Sequence, residues 1–316
     1  MEPSSCQWII NPAAGRGRVR RRLPRLLQEF AAGRIPGAYR LTDRPGQASG
    51  LAREAAERGA RTVIAVGGDG TVNEVVNGLM GAGNPELCLG ILPWGSGNDF
   101  ARALGLPPQP WAALELIRRA LESGAGRWVD LGRLGERYFV NGLGLGLDGA
   151  VAWRNSRLKR LRGEWAYLWG GVREALAFKD FPLVFRTPDW RYEGPALLSG
   201  ACLGPFQGGN FCLAPQAELD DGRLDCYLIE DLPILERLWQ MPKLRRGSHL
   251  QLQQVHLHQA SWLSLETDRP LPAHLDGEPF ILAPGRHLVQ IEARALQVLG
   301  SANLCRCSPR HDRDSV

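Results

Sequence analysis

The residues of this chain best suited to chemistry stand in three glycine-rich turns. Gly67, Gly68, Asp69 and Gly70 follow an apolar, β-branched stretch at 62–66, and Val72, Val75, Val76, Leu79 and Met80 come next at helical spacing. The pattern predicts a buried strand, a tight loop and a helix. Three glycines in four residues let the backbone approach a ligand closely, and the free N–H groups of the helix start attract anions, so the loop suits phosphate. Asp69 adds a condition. A carboxylate beside phosphates is repelled unless a cation or a hydroxyl donor lies between them, which points to a nucleotide carried with Mg2+. The competing reading is a ligand-free βα turn. For Thr71 and Glu74, spaced T-x-x-E, a capping box is the expectation. The loop spacing matches neither the Walker A nor the Rossmann fingerprint.

A second turn closes the strand predicted at 7–10 and runs from Asn11 through Gly15, Arg16, Gly17 and Arg18 into a helix. Arg16 and Arg18 could hold phosphate oxygens through bidentate hydrogen bonds, or simply begin the basic face that Arg20, Arg21, Arg22 and Arg25 continue. The third turn, Gly95, Ser96, Gly97, Asn98 and Asp99, follows a strand at 88–92. Asp99 could order Mg2+ or its water, while taken alone Asn98 or Asp99 reads as a helix cap. With a further strand at 38–41 and a helix at 46–59, the alternation predicts a parallel, doubly wound sheet whose carboxyl edge gathers the turns.

Beyond Asp130 the texture becomes β-rich, with strands predicted at 182–186, 192–203, 223–229, 253–258, 260–266 and 286–299 and one helix near 232–247. A literal G-x-G-x-x-G at 144–149 lacks the acidic residue a dinucleotide site needs about twenty positions on, where Tyr167, Leu168 and Trp169 stand. A bulged or closely packed strand is expected there. Residues 151–172 combine an apolar stripe with five basic residues and are expected to form core-packing helices, a membrane-surface helix being the alternative. Asp220-Asp221-Gly222 and Asp276-Gly277-Glu278 are hairpin signals that imply no chemistry by themselves. The histidines show no metal-site spacing.

With 316 residues, 44% hydrophobic, the chain is long enough for two domains. Seven cysteines without a C-x-x-C pair fit reduced thiols, and the C-x-C of Cys305 and Cys307 lies in a polar tail. No secretion signal or membrane-spanning run is legible, so a soluble, cytoplasmic protein is expected. A net charge of +5 favours anionic ligands or surfaces, and arginine count alone does not support a nucleic-acid binder.

Taken together, NPAAGRGR at 11–18, GGDGTVNEVVNGL at 67–79, LPWGSGNDFAR at 92–102, FVNGLGLGLDGAV at 139–151, DDGRLD at 220–225 and LDGE at 275–278 resemble the diacylglycerol kinase catalytic family, in its bacterial soluble lipid-kinase branch. Sphingosine kinases and NAD kinases are its relatives. The resemblance implies an α/β Rossmann-like nucleotide domain at 1–131, a mainly β, sandwich-like lipid-substrate domain at 132–287, a return of 288–300 to the first domain and a loose tail at 301–316. It implies ATP and Mg2+, with Asn11, Arg16, Gly67, Gly68, Gly70, Thr71, Gly95, Gly97 and Asn98 around the nucleotide. Asp69, Asp99 and Asp148 would serve the Mg2+ and water network, and Asp69 and Asp221 metal ions, the latter a structural one. Asp276 would be the general base and Glu278 its acidic partner. The implied reaction transfers the γ-phosphoryl group to a lipid hydroxyl such as that of diacylglycerol. Reaching a hydroxyl at the lipid–water interface requires peripheral docking on the membrane surface, expected through the basic and aromatic residues near 153–169. A sphingosine-like acceptor or a non-catalytic sensor are the alternatives, and a homodimer is compatible with all of them. Trp94 and Gly149 depart from the commonest pattern without touching an acidic position.

Overall fold

The computed structural model describes residues 5–157, 174, 176–209 and 211–300. Its first half alternates β1 (Cys6–Ile10), α1 (Ala14–Ala31), β2 (Ala38–Leu41), α2 (Gln47–Glu57), β3 (Thr62–Gly67), α3 (Asp69–Gly81) and β4 (Cys88–Pro93), followed by α4 (Asp99–Ala103) and α5 (Pro110–Ser123). The four strands are parallel in the order β2-β1-β3-β4. Side chains of successive strand residues point to opposite faces. Accordingly Ile9, Val63, Ala65, Leu89 and Ile91 pack with α2 and α3, while Trp8, Ile10, Ile64, Val66 and Leu92 pack with α1 and α5. Both faces are covered, as in a doubly wound sheet. The turns after β1, β3 and β4 therefore emerge together at the carboxyl edge.

The second half opens with β5 (Gly126–Leu134), β6 (Arg137–Phe139), β7 (Gly142–Gly146) and α6 (Leu147–Arg157). It continues through β8 (Phe181–Arg186), β9 (Arg191–Cys202), the short β10 (Phe206–Gln207) and β11 (Phe211–Cys212), and β12 (Leu224–Glu230). Next come α7 (Ile234–Arg246), β13 (Val255–Ala260), β14 (Trp262–Thr267), β15 (Leu271–Leu275), β16 (Glu278–Leu282) and β17 (Gly285–Leu299). β9 pairs antiparallel with β7, β8 and β12 and forms the spine of this part. β17 joins the halves: its start pairs with β14, and Gln297 and Val298 pair in parallel with Cys88 and Leu89 of β4. Where β17 shifts register against β5, Arg294 (φ 50°) donates its N–H to the buried Asp130 carboxylate at 2.7 Å, and Gly222 donates to the other oxygen at 2.7 Å.

The architecture is the expected one, an α/β domain with a mainly β partner, but two local expectations change. The glycine-rich run expected to remain a strand through 149 stops at Gly146, and a helix begins at Leu147. Gly149 lies in that helix against β15, where a Cβ would meet the Pro272 carbonyl oxygen at 2.2 Å, so even alanine is too large. The capping box does not form. Glu74 instead accepts the N–H groups of Gly46 (2.9 Å) and Ala48 (3.0 Å) at the start of α2, satisfying a neighbouring helix rather than its own. Among the described residues no helix is long and apolar enough to cross a membrane. The helices expected across 151–172 are seen to Arg157; residues 158–169 of the proposed membrane stretch, and Cys305 and Cys307, lie outside the described residues.

Candidate active site

Glycines let the turns touch. A Cβ on Gly95 would lie 2.2 Å from the Gly68 Cα, so the loops after β3 and β4 can meet backbone to backbone only without side chains. Gly15, Arg16 and Gly17 are all left-handed (φ 60°, 57° and 80°), delaying the regular turns of α1 and putting Arg16 at the cleft. Asn11 donates from Nδ2 to Thr71 Oγ1 at 3.0 Å, tying the first turn to α3. Gly67 leaves room for that hydroxyl, since a Cβ there would approach it to 2.4 Å.

Asp69 is the cap that sequence spacing assigned to Asn98 or Asp99. Its carboxylate accepts the N–H of Asn98 at 2.7 Å and of Phe100 at 3.4 Å, satisfying the start of α4 across the loops. Asn98, in the left-handed region at φ 56°, accepts the Gly95 N–H at its side-chain oxygen and holds the turn closed. Asp99 accepts from Gly209 N–H at 2.7 Å and pairs with Arg102 at 3.3 Å. Burial raises the Asp69 carboxyl above the ordinary range, and neighbouring Asp99 adds to the rise. Burial likewise raises Asp99, against the pull of Gly209 and Arg102. The two acids thus share a region that disfavours negative charge.

The β15–β16 hairpin delivers Asp276 and Glu278 to the opposite wall. Asp276 adopts φ 49° and is 7% exposed. One of its oxygens accepts the N–H groups of Asn141 (2.8 Å) and Gly142 (2.9 Å), and the other those of Val140 (2.9 Å) and the Asn73 side chain (2.8 Å). Burial raises its pKa while these four bonds oppose the rise. A general base needs a lone pair open to the incoming proton, and every acceptor direction of this carboxylate is engaged. The expectation that Asp276 is the base meets this obstacle. Glu278, by contrast, is exposed, and its Oε1 hangs over the first turn of α3, 2.3 Å from where a Cβ on Gly70 would sit.

A third group gathers at Asp148, in the first turn of α6. His274 Nε2 lies 3.1 Å from Asp148 Oδ2, Tyr227 donates its hydroxyl at 3.2 Å and Gln207 its amide at 3.2 Å. Gly277 N–H donates to His274 Nδ1 at 3.1 Å, which leaves the imidazole proton on Nε2, facing Asp148. Burial works against the Asp148 charge, but His274 and Tyr227 outweigh it and hold the carboxyl below the ordinary range. His274, Tyr227, Gln207 and Asn73 carried no local signal. Only the placement of His274 two residues before Asp276, on a strand leading into the same turn, could have singled one out.

Asp69, Asp99, Asp148, Asp276 and Glu278 line one cavity of ≈ 750 Å³ together with Arg16, Arg18, Gly70 and Gly97. The same cavity has an aliphatic wall formed by Leu147, Val151, Leu197, Leu213, Ile229 and Val255. Asn11, Gly67, Gly68, Thr71, Gly95 and Asn98 lie behind this lining and shape the turns. Asp221 is elsewhere. Its carboxylate accepts the Arg223 N–H at 2.9 Å, and burial, then Asp130 and Glu218, raise its pKa. Asp225, pushed up to about 7 by burial and Asp221, keeps Oδ2 buried without a hydrogen-bond partner. Such a surplus of carboxylate fits a cation.

Residues 6–128 match the model of the diacylglycerol kinase catalytic domain, and residues 142–300 that of the YegS C-terminal NAD kinase beta sandwich-like domain. A Chromohalobacter salexigens protein named "Probable lipid kinase YegS-like" is 41% identical over 245 residues, 77% of this chain and 77% of its own. The diacylglycerol kinase of Bacillus subtilis is 31% identical over 280 residues, 88% of this chain and 90% of that protein. A crystal structure of a diacylglycerol kinase from Bacillus anthracis str. Sterne has the same fold, with a TM-score of 0.71 at 23% identity over 96% of this chain and 98% of that one. The chain thus belongs to the diacylglycerol kinase catalytic-domain family of lipid kinases.

Proposed function

We propose that this chain transfers the γ-phosphoryl group of ATP, with Mg2+, to the free hydroxyl of a membrane lipid, diacylglycerol in the simplest case, giving phosphatidate. The observation that carries the reading is the composite cavity. Its arginines and carboxylates suit phosphates and a proton-losing hydroxyl, while the aliphatic wall suits acyl chains. In-line phosphoryl transfer needs charge neutralisation and a base, and no covalent enzyme intermediate. Arg16 and Arg18 would face the phosphates, and the loops at Gly67–Gly70 and Gly95–Asn98 would hold them. The acceptor hydroxyl would give its proton to Glu278 as its oxygen bonds to the γ-phosphorus and the bond to the β-phosphate oxygen breaks. Asp276 would hold the hairpin that presents Glu278, and Asp148 would be held ionised by His274 beside it.

Among the described residues no three His, Cys, Asp or Glu side chains converge as a ready metal cage. A kinase ion needs only one or two protein carboxylates, the remainder coming from phosphates and water. Asp69, raised by burial and by Asp99, and Asp99, raised by burial, fit that requirement. Mg2+ there would supply charge neutralisation at the transferred group. The test is mass-detected phosphorylation of diacylglycerol in mixed micelles with ATP and Mg2+, with sphingosine and NAD as parallel acceptors. Phosphatidate as the sole product supports the reading, and phosphorylation of NAD alone, or of no acceptor, overturns it. On this reading the enzyme works from the cytoplasm at the membrane surface.

Two smaller effects follow. Gly70→Ala is expected to lower kcat by about tenfold or more by displacing the Glu278 carboxylate. Stability should hold or rise by about 0.5–1 kcal/mol, because alanine is the better helix former. Turnover measured beside a denaturation curve separates the two. At the second acidic turn, Mg2+ is expected to raise the melting temperature of the wild type, and Asp221→Asn to remove most of that rise; an equal rise in both proteins would exclude Asp221 as a ligand.

A further inference from the structure

Helix α7 combines two faces that a soluble helix ordinarily keeps distinct in character. Its inner side contributes Arg237 and Gln240, both buried, and Leu244 to the cavity wall. Its outer side carries Leu235 and Trp239 one turn apart, 81% and 72% exposed, with Ile234 49% exposed beside them. The outer face of such a helix is normally polar. At the helical repeat, Leu235, Trp239 and Arg246 fall within about 40° of one another. The last turn is basic, with Lys243, Arg245 and Arg246, and Lys243 Nζ stands 4.7 Å from the Trp239 ring centre. Glu236 is the one acidic residue of the helix and sits in its first turn, away from these cations.

We propose that α7 docks this chain on an anionic lipid bilayer. Leu235 and Trp239 enter the boundary between headgroups and acyl chains, and Lys243 and Arg246 pair with headgroup phosphates. An apolar stripe bordered by aromatic and basic residues is the pattern of helices that lie in a membrane interface, and anionic lipid attracts each nearby cation. Position adds a second argument. The inner side of the same helix walls the cavity, so a bilayer held at the outer side lies about one helix diameter, ~10 Å, from the acceptor site. A polypeptide partner or second copy would have to cover Lys243 at the Trp239 ring and Arg246 on the same side of the helix, whereas an anionic bilayer brings the matching charge. The inference rests on the lipid-acceptor reading of the cavity only for its purpose, not for the contact itself.

Co-sedimentation with vesicles of phosphatidylcholine containing about 30% phosphatidylglycerol, without nucleotide, tests the contact. The wild type is expected to pellet with these vesicles, and the double variant Leu235→Ser/Trp239→Ser to lose about tenfold or more in partitioning. Lys243→Glu/Arg246→Glu is expected to abolish the preference for anionic over neutral vesicles. Both variants should phosphorylate a short-chain diacylglycerol, dissolved as monomer, at the wild-type rate. Vesicle binding by the serine variant equal to wild type overturns the proposal, as does absence of wild-type binding. A wild-type dimer that becomes monomeric in the serine variant, with no vesicle binding by either, reassigns the face to self-association. Failure of every soluble acceptor with vesicle binding behaving as described would defeat the kinase reading and leave the docking face in place.

Discussion

Glu278→Gln is expected to fold and bind nucleotide as the wild type does, while losing about 100- to 10,000-fold in kcat, the usual contribution of a positioned base. The side chain is exposed at the start of β16, so the isosteric amide removes no core packing. What it removes is the capacity to take a proton. The carboxylate hangs beside Gly70 at the N-terminal turn of α3, within reach of the cavity that the glycine turns line. Single-turnover phosphorylation with saturating ATP isolates the chemical step, and a parallel denaturation curve verifies the fold. A variant that turns over at the wild-type rate would take Glu278 out of the mechanism.

Asp276→Asn is expected to behave differently, losing stability by about 3 kcal/mol or more as well as activity. Each carboxylate oxygen of Asp276 accepts two donors, so an amide NH2 in place of either one faces two N–H groups. A buried donor left without an acceptor costs about 1–3 kcal/mol, and at least two would be left. The left-handed backbone at φ 49° is not the cause, because asparagine tolerates that region as well as aspartate does. Activity falls because Val140–Gly142 and the hairpin carrying Glu278 lose their common anchor. The urea midpoint and the turnover per folded molecule are the two readouts. An Asp276→Asn protein with a wild-type midpoint and no turnover would return the proton-accepting role to Asp276.

The contrast between these acids shows how far local pattern reached. Asp276-Gly277-Glu278 is the hairpin that Asp-Gly signals, between β15 and β16. The state of the carboxylate at 276, however, depends on Asn73, 203 positions away in sequence, and on the strand entry at Val140–Gly142. Glu74 and Asp69 make the same point in reverse. Spacing offered Glu74 a cap at Thr71, but the N–H groups at the start of α2 lay closer in space, and the α4 cap expected from Asn98 or Asp99 came from Asp69, across a loop contact that only glycines permit. His274 was silent because one histidine on a strand carries no spacing; its partner Asp148 comes from another element.

By itself the sequence determined the order of strands and helices in the first half, the β-rich character of the second and the positions of the glycine turns. Those properties follow from side-chain periodicity and from the backbone freedom of single residues, both written within a few positions of chain. Tertiary structure alone decided which carboxylate keeps its lone pairs free, which side chains surround Asp148, and that α7 turns polar residues inward and Leu235 and Trp239 outward. Hydrogen-bond satisfaction and burial are settled between segments distant in sequence, so they become legible only once the sheet has brought those segments into contact.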